Sequence, residues 1–265
     1  MKDRMKSLTA PFAFRDKEQS LWEHLAEFRR MLIRCLLALA VASAVCIPLA
    51  KPLLRWMQAP LLRVAAQNHY AYELITTSPV EGFLQVMKVI FAAGVLLSLP
   101  FMITFVAQFV FPGLKPQERK WLVAGGGAGA VLFAAGVALG YAITLPVAVK
   151  VMFFFNEYLG TTANWKIDSY LGFVMQLLIG FGLAFELPLI LLALGRLGVV
   201  STAQLRQYRR HVVVGILVVA MVLTPPDVPS QLQMAIPLVV LYELCIWILR
   251  LLERSDRKNK EGTEE

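Results

Sequence analysis

The chain has 265 residues, 58% of them hydrophobic and 17% charged, with a mean hydropathy of +0.63. A soluble domain carries about 25% charged residues, so that class is excluded, and solid apolar blocks without period-two alternation exclude a transmembrane β-barrel. The net charge of +8 would point to nucleic acid in a soluble protein. Here it is read through the excess of basic residues in cytoplasmic loops, and no nucleic-acid partner is expected.

Residues 1–19 are polar and mixed in charge, without the apolar core of a cleavable signal peptide. They are expected to form a flexible cytoplasmic tail ahead of a membrane domain spanning 20–250. Ser20 followed by Glu23 fits a capping box. The helix it opens begins amphipathic (Leu21, Trp22, Leu25, Phe28) and runs into a first span over about 31–50. Residues 51–78 read as a long loop, part of it a short interfacial helix that Pro52 and Pro60 would break. A second span covers about 82–109 and contains Pro100; a polar turn follows at 111–120. The third span, about 121–143, carries Gly125/Gly129 and Gly136/Gly140, the small-residue spacing that lets helices approach closely. Residues 144–168 read as a second outer loop, 169–195 as a fourth span and 196–210 as a basic loop. Two short spans, about 211–224 and 231–249, close the domain, and 251–265 reads as a charged cytoplasmic tail.

The fold expected is therefore all-α, with six transmembrane helices. Placing the N-terminus inside puts 20 of the 26 Lys and Arg residues on the cytoplasmic side, which orients both termini there. Cys35, Cys46 and Cys245 fall in apolar spans without metal-ligand spacing, so they read as buried thiols. His24, His69 and His211 lie on separate segments, and no catalytic motif is present, so neither an enzyme nor a metal or other cofactor is expected.

Three polar features stand out. Glu186 is the one charged residue of 169–195, and Pro188 follows two positions later. A carboxylate at that depth costs several kcal/mol, so it usually faces a partner or a wet cavity. It could centre a proton-coupled secondary transporter, although the internal repeats usual in such folds are missing. Glu27 and Glu118 are carboxylates at the basic face. They could accept a cationic ligand, guanidinium above all, or pair locally, as Glu27 with Arg30.

Four stretches occur in order: His24-Leu25-Ala26-Glu27-Phe28-Arg29-Arg30; Phe109-Val110-Phe111-Pro112-Gly113-Leu114 with Glu118-Arg119; Gly182-Leu183-Ala184-Phe185-Glu186-Leu187-Pro188; and Leu223-Thr224-Pro225-Pro226-Asp227-Val228-Pro229-Ser230-Gln231. Together they closely resemble the TatC family, the receptor subunit of the twin-arginine protein translocase, over about residues 20–250. The resemblance implies a concave, glove-like bundle in a bacterial inner membrane. It implies a receptor for signal peptides of folded proteins, driven by the proton-motive force and self-associating in a larger complex. By that resemblance Glu27 and Glu118 contact the paired arginines, and Arg29, Pro60 and Phe109 support recognition. Met221, Thr224 and Gln231 match a patch where TatA- and TatB-type single-span subunits dock. Asp227 belongs to the same motif, and Glu186 matches an intramembrane acid of the concave face. The chain departs from the family at Thr104, Phe105 and Ala107, where Tyr-Gln and then Trp are usual, and at Lys115, where Tyr is common.

Overall fold

In the computed structural model of the chain, which describes residues 21–110, 116–196, 199–224 and 227–261, nearly all of the backbone is helical. Hydrocarbon offers peptide groups no water, so each spanning segment must satisfy its own within a helix. Helix α1, Leu21–Cys46, runs unbroken from its amphipathic start through the first apolar block. A tight turn leads into α2, Ala50–Asn68, set at 84° to α1. Then follow β1 (Tyr72–Ile75), α3 (Glu81–Val110), α4 (Pro116–Leu139), a π-helical turn (Gly140–Thr144), α5 (Leu145–Tyr158), β2 (Ala163–Lys166), α6 (Ile167–Arg196), α7 (Thr202–Gln207), α8 (Arg209–Leu223) and α9 (Val228–Glu261). Four segments, 81–109, 126–158, 167–195 and 228–251, are long and apolar enough to cross a membrane, and the bent pair α1–α2 would make a fifth.

The structure departs from the sequence reading at several points. Residues 50–68 are one helix, with Pro60 inside it. Pro52 falls in the first turn, where a backbone N–H has no helical partner to lose. Pro60 does remove a donor, the one that would reach the Trp56 carbonyl four residues back. The Tyr141 hydroxyl donates to that carbonyl instead, at 2.8 Å, and its ring stacks on Trp56 at 3.9 Å. Ser20 and its capping box lie outside the described residues, as does the turn at 111–115.

The third span does not end near residue 143. The π-helical turn carries it into α5, so most of the expected outer loop is helix. Nor is the last span short: its apolar part covers 24 residues, and α9 continues past residue 251 to Glu261. The fifth span expected from the sequence is short, since the 15 residues of α8 reach about 22 Å against a hydrocarbon core of about 30 Å. Its end meets α6 partway along. Gln176 donates to the Val222 carbonyl at 3.0 Å, and Leu223 lies over Gly180.

A small parallel ladder was not expected. Tyr72–Ile75 pairs in register with Ala163–Lys166, tying the α2–α3 and α5–α6 connections together. Beneath it the Phe153 ring sits between Tyr70 and Trp165, each 4.7 Å away. Beside it Asp168 pairs with Lys88 at 2.6 Å and accepts from Gln85.

Helix α6 is the centre of the bundle. Leu171, Val174, Leu177, Leu178 and Phe181 are almost wholly buried. It packs antiparallel on α4 through a seam of glycines. A Cβ on Gly136 would lie 2.6 Å from the Phe181 carbonyl oxygen, and one on Gly140 2.9 Å from the Phe181 ring. Helices α1 and α3 form a second antiparallel pair, with Gly94 against Ser43.

Two outcomes follow for stability, read by thermal unfolding in detergent. Tyr141→Phe is expected to cost about 1 kcal/mol, and much less in a Pro60→Ala background, where residue 60 regains an N–H for the same carbonyl. Equal costs in both backgrounds would refute the assignment. Gly136→Ala is expected to destabilise by about 1–3 kcal/mol through overpacking. Gly127→Ala, with open space around it, should be neutral or stabilise by up to about 1 kcal/mol; the reverse order would place the seam elsewhere.

Candidate functional site

The start of α1 and the end of α3 meet at one end of the bundle. His24 and Phe28 are four residues apart, so they share a face of α1. Phe109 packs on both: its ring stacks on His24 at 4.8 Å and tilts against Phe28 at 5.5 Å. Glu27 precedes Phe28 on α1 and is half-buried, whereas Arg29 is exposed. The packing thus brings two of the sequence-selected residues, Glu27 and Phe109, to one place. Glu118 is the third residue of α4, which begins six positions after α3 ends; its side chain lies outside the described residues. A connection that short spans at most about 20 Å, so the first turn of α4 stays at this end.

Pro60 is not part of this group. It is buried on α2, beyond the far end of α1, which lies about 28 Å from Glu27 along the helix axis. Its neighbours there are the Trp56–Tyr141 stack and Tyr170, whose hydroxyl donates to the Met57 carbonyl at 2.9 Å.

The turn between α8 and α9 holds a second group. Met221 is 59% exposed. Thr224 is buried, and its hydroxyl donates to the Ala220 carbonyl at 2.8 Å, closing the end of α8. Gln231 donates to the Leu217 carbonyl at 3.1 Å and bridges the two helices. Asp227 caps α9, one carboxylate oxygen accepting the Ser230 N–H at 2.8 Å. Such a cap satisfies a donor left over at a helix start. Of these four, Met221 is the one that offers an open surface; the others hold the turn together.

Glu186 is 1% exposed, and neither carboxylate oxygen has a hydrogen-bond partner among the described residues. The carboxylate lies against bare backbone on α4. A Cβ on Gly129 would come within 2.9 Å of Oε2 and 2.8 Å of the Leu189 side chain. The acid therefore faces the interior seam between α4 and α6. Pro188 shapes the same stretch, and its carbonyl accepts from the Cys245 thiol at 3.4 Å. All three cysteines are free and buried. No cluster of His, Cys, Asp and Glu suited to a metal exists among the described residues.

Some contributors escaped the sequence reading. The His24–Phe28 spacing is visible in the chain, but nothing local says that Phe109 completes the stack. Gln176 is one polar residue in an apolar span, a signal that could have marked it.

Comparison with known proteins places this arrangement. Residues 23–237 match the family model described as Sec-independent protein translocase protein (TatC). The chain is 37% identical to the Sec-independent protein translocase protein TatC of Deinococcus radiodurans, covering 87% of this chain and 86% of that one. It is 32% identical to the TatC protein of Helicobacter pylori strain J99, covering 93% and 95%. Its fold superposes on a crystal structure of the twin-arginine translocase receptor TatC with a TM-score of 0.72 at 32% identity, covering 86% of this chain and 99% of that one. That family comprises protein-transport components rather than enzymes, and its membership agrees with the long apolar helices of a multi-pass membrane protein. A matched family model, close relatives along nearly the whole chain and a shared fold together establish that this chain belongs to the TatC family of Sec-independent protein translocase proteins.

Proposed function

We propose that the chain is a receptor for signal peptides bearing paired arginines, with Glu27 and Glu118 as the two acceptors. The observation that carries this reading is the His24–Phe28–Phe109 packing, which joins the α1 and α3 ends beside Glu27. A short connection keeps the first turn of α4, and with it Glu118, at the same end. Guanidinium binds carboxylate through two parallel hydrogen bonds, whereas ammonium is a point charge without that fork. Each charge-assisted contact is worth about 1.5–3 kcal/mol, less where water competes. In this reading Arg29, exposed on α1, tunes the approach, and Phe109 holds the two helix ends in register. Pro60 supports recognition only indirectly, through the set of α2.

In the same reading the chain crosses a bacterial inner membrane six times with both termini in the cytoplasm, forming a concave, glove-like face. The basic residues concentrated at the Glu27 end support that orientation. TatA- and TatB-type single-span subunits dock at the α8–α9 turn, where Met221 is open and Thr224, Gln231 and Asp227 fix the backbone. Further copies of the chain assemble into a larger receptor complex, and export draws on the proton-motive force. Glu186 serves as a polar reserve in the α4–α6 seam, reached when those helices separate around an inserted peptide.

Site-specific crosslinking to a twin-arginine peptide tests the first claim. Glu27→Gln and Glu118→Gln should each weaken capture about tenfold or more, and a twin-lysine peptide should be captured poorly by the parent chain. Undiminished capture by Glu118→Gln would sink the assignment. Glu186→Leu removes a buried acid that costs about 3 kcal/mol at that depth, so it should raise the unfolding temperature while reducing reporter export in cells lacking their own receptor subunit. Full export alongside greater stability would mean that the acid is merely tolerated.

A further inference from the structure

An open groove of about 440 Å3 runs between α1 and α3. Its α1 wall is Arg34, Ala38, Val41 and Val45, spaced so that all share one helix face; Leu97 and Phe105 of α3 line the other side. Val41, Val45 and Leu97 are half or more exposed, so no described element covers them. Ser98, at the floor, spends its hydroxyl on the Val95 carbonyl of its own helix. The groove therefore offers an apolar surface with one charge, at one end.

That charge is exposed, and Arg34 has no ion pair among the described residues. The nearest carboxylate on α1 is Glu27, two turns away, with exposed Arg29 and Arg30 in between. Helix α3 carries no charged residue beyond Lys88. From Arg34 to Val45 the groove extends about 16 Å at 1.5 Å per residue, close to half of a hydrocarbon core of about 30 Å. It is thus one leaflet deep. An exposed charge at one end of an apolar groove one leaflet long matches the layout of a phospholipid, a phosphate above an acyl chain.

We propose that this groove is a binding site for one anionic phospholipid, its phosphate on Arg34 and one acyl chain along the α1–α3 floor. Guanidinium suits a phosphate through bidentate hydrogen bonding, and the Arg29–Arg30 pair adds an attractive field at the surface. The lipid would occupy a seam held by tight packing of Gly94 on Ser43, so its binding also stabilises the α1–α3 pair.

Native mass spectrometry of the full chain with equal phosphatidylglycerol and phosphatidylcholine of the same acyl chains tests this. The parent should retain one lipid, with phosphatidylglycerol favoured about fivefold, the value of one basic residue near an anionic surface. Arg34→Gln should erase the preference, Arg34→Lys, which keeps the charge but loses the fork, should retain only part of it, and Ala38→Phe, which fills the groove, should reduce retention of both lipids. Equal retention of the two lipids by the parent chain, or an unchanged preference in Arg34→Gln, overturns the proposal. Displacement of the lipid by an added single-span apolar helix, but not by excess phosphatidylglycerol, overturns it in favour of a peptide site.

Discussion

Helix α6 can lie against α4 because Gly129, Gly136 and Gly140 present bare backbone to Glu186, Phe181 and Leu177. In lipid the tails are as apolar as the side chains, so helices gain little from burying apolar surface and much from close van der Waals contact. Once that seam sets α6, the remaining helices take their places around it. Helix α8 ends on Gln176 and Gly180, α9 places Leu249 over Gly195, and α3 docks through Lys88 and Gln85 on Asp168. Glu186 is buried by the same constraint, since the missing Cβ of Gly129 makes room for its carboxylate.

The second constraint is polar. At two places where a proline or a helix end leaves a carbonyl without its helical donor, a distant side chain supplies one. Tyr141 does so for Trp56, and Gln176 does so for Val222 at the end of α8; Gln231 adds a bond to Leu217 within it. In water such groups would be solvated at little cost; in hydrocarbon an unpaired one costs several kcal/mol. This is how a 15-residue α8 and an internal Pro60 are accommodated. It also means that residues which look like recognition elements in the chain, Thr224 and Gln231 among them, have their hydrogen-bonding groups engaged in holding the fold.

The end of the bundle that holds Glu27 is built differently. There the α1–α3 pair brings an aromatic stack beside a half-buried carboxylate on a strongly basic surface. A carboxylate held among cations is a selective acceptor only for ligands that can outcompete them, and paired guanidinium groups do so by geometry as well as charge. Toward the hydrocarbon the same helix pair leaves an apolar groove with Arg34 at its mouth. The proposed peptide site and the proposed lipid groove thus adjoin on one helix pair.

The amino-acid sequence determined the class of fold, because apolar run length and the absence of charge are local and the membrane reads them directly. It also determined the small-residue seam on α4, the short α8 and the four motif stretches, each legible from neighbouring residues. It could not determine that α2 survives Pro60, because the compensating hydroxyl on Tyr141 lies more than 80 positions away. It could not show the β1–β2 ladder, whose two strands of four residues are separated by about 90 positions and carry no signal of their own. Nor could it place Phe109 on His24 and Phe28, separate Pro60 from Glu27, or turn Glu186 inward against Gly129. Those are choices of helix rotation and pairing, and in a chain apolar on nearly every face only close packing in three dimensions makes them.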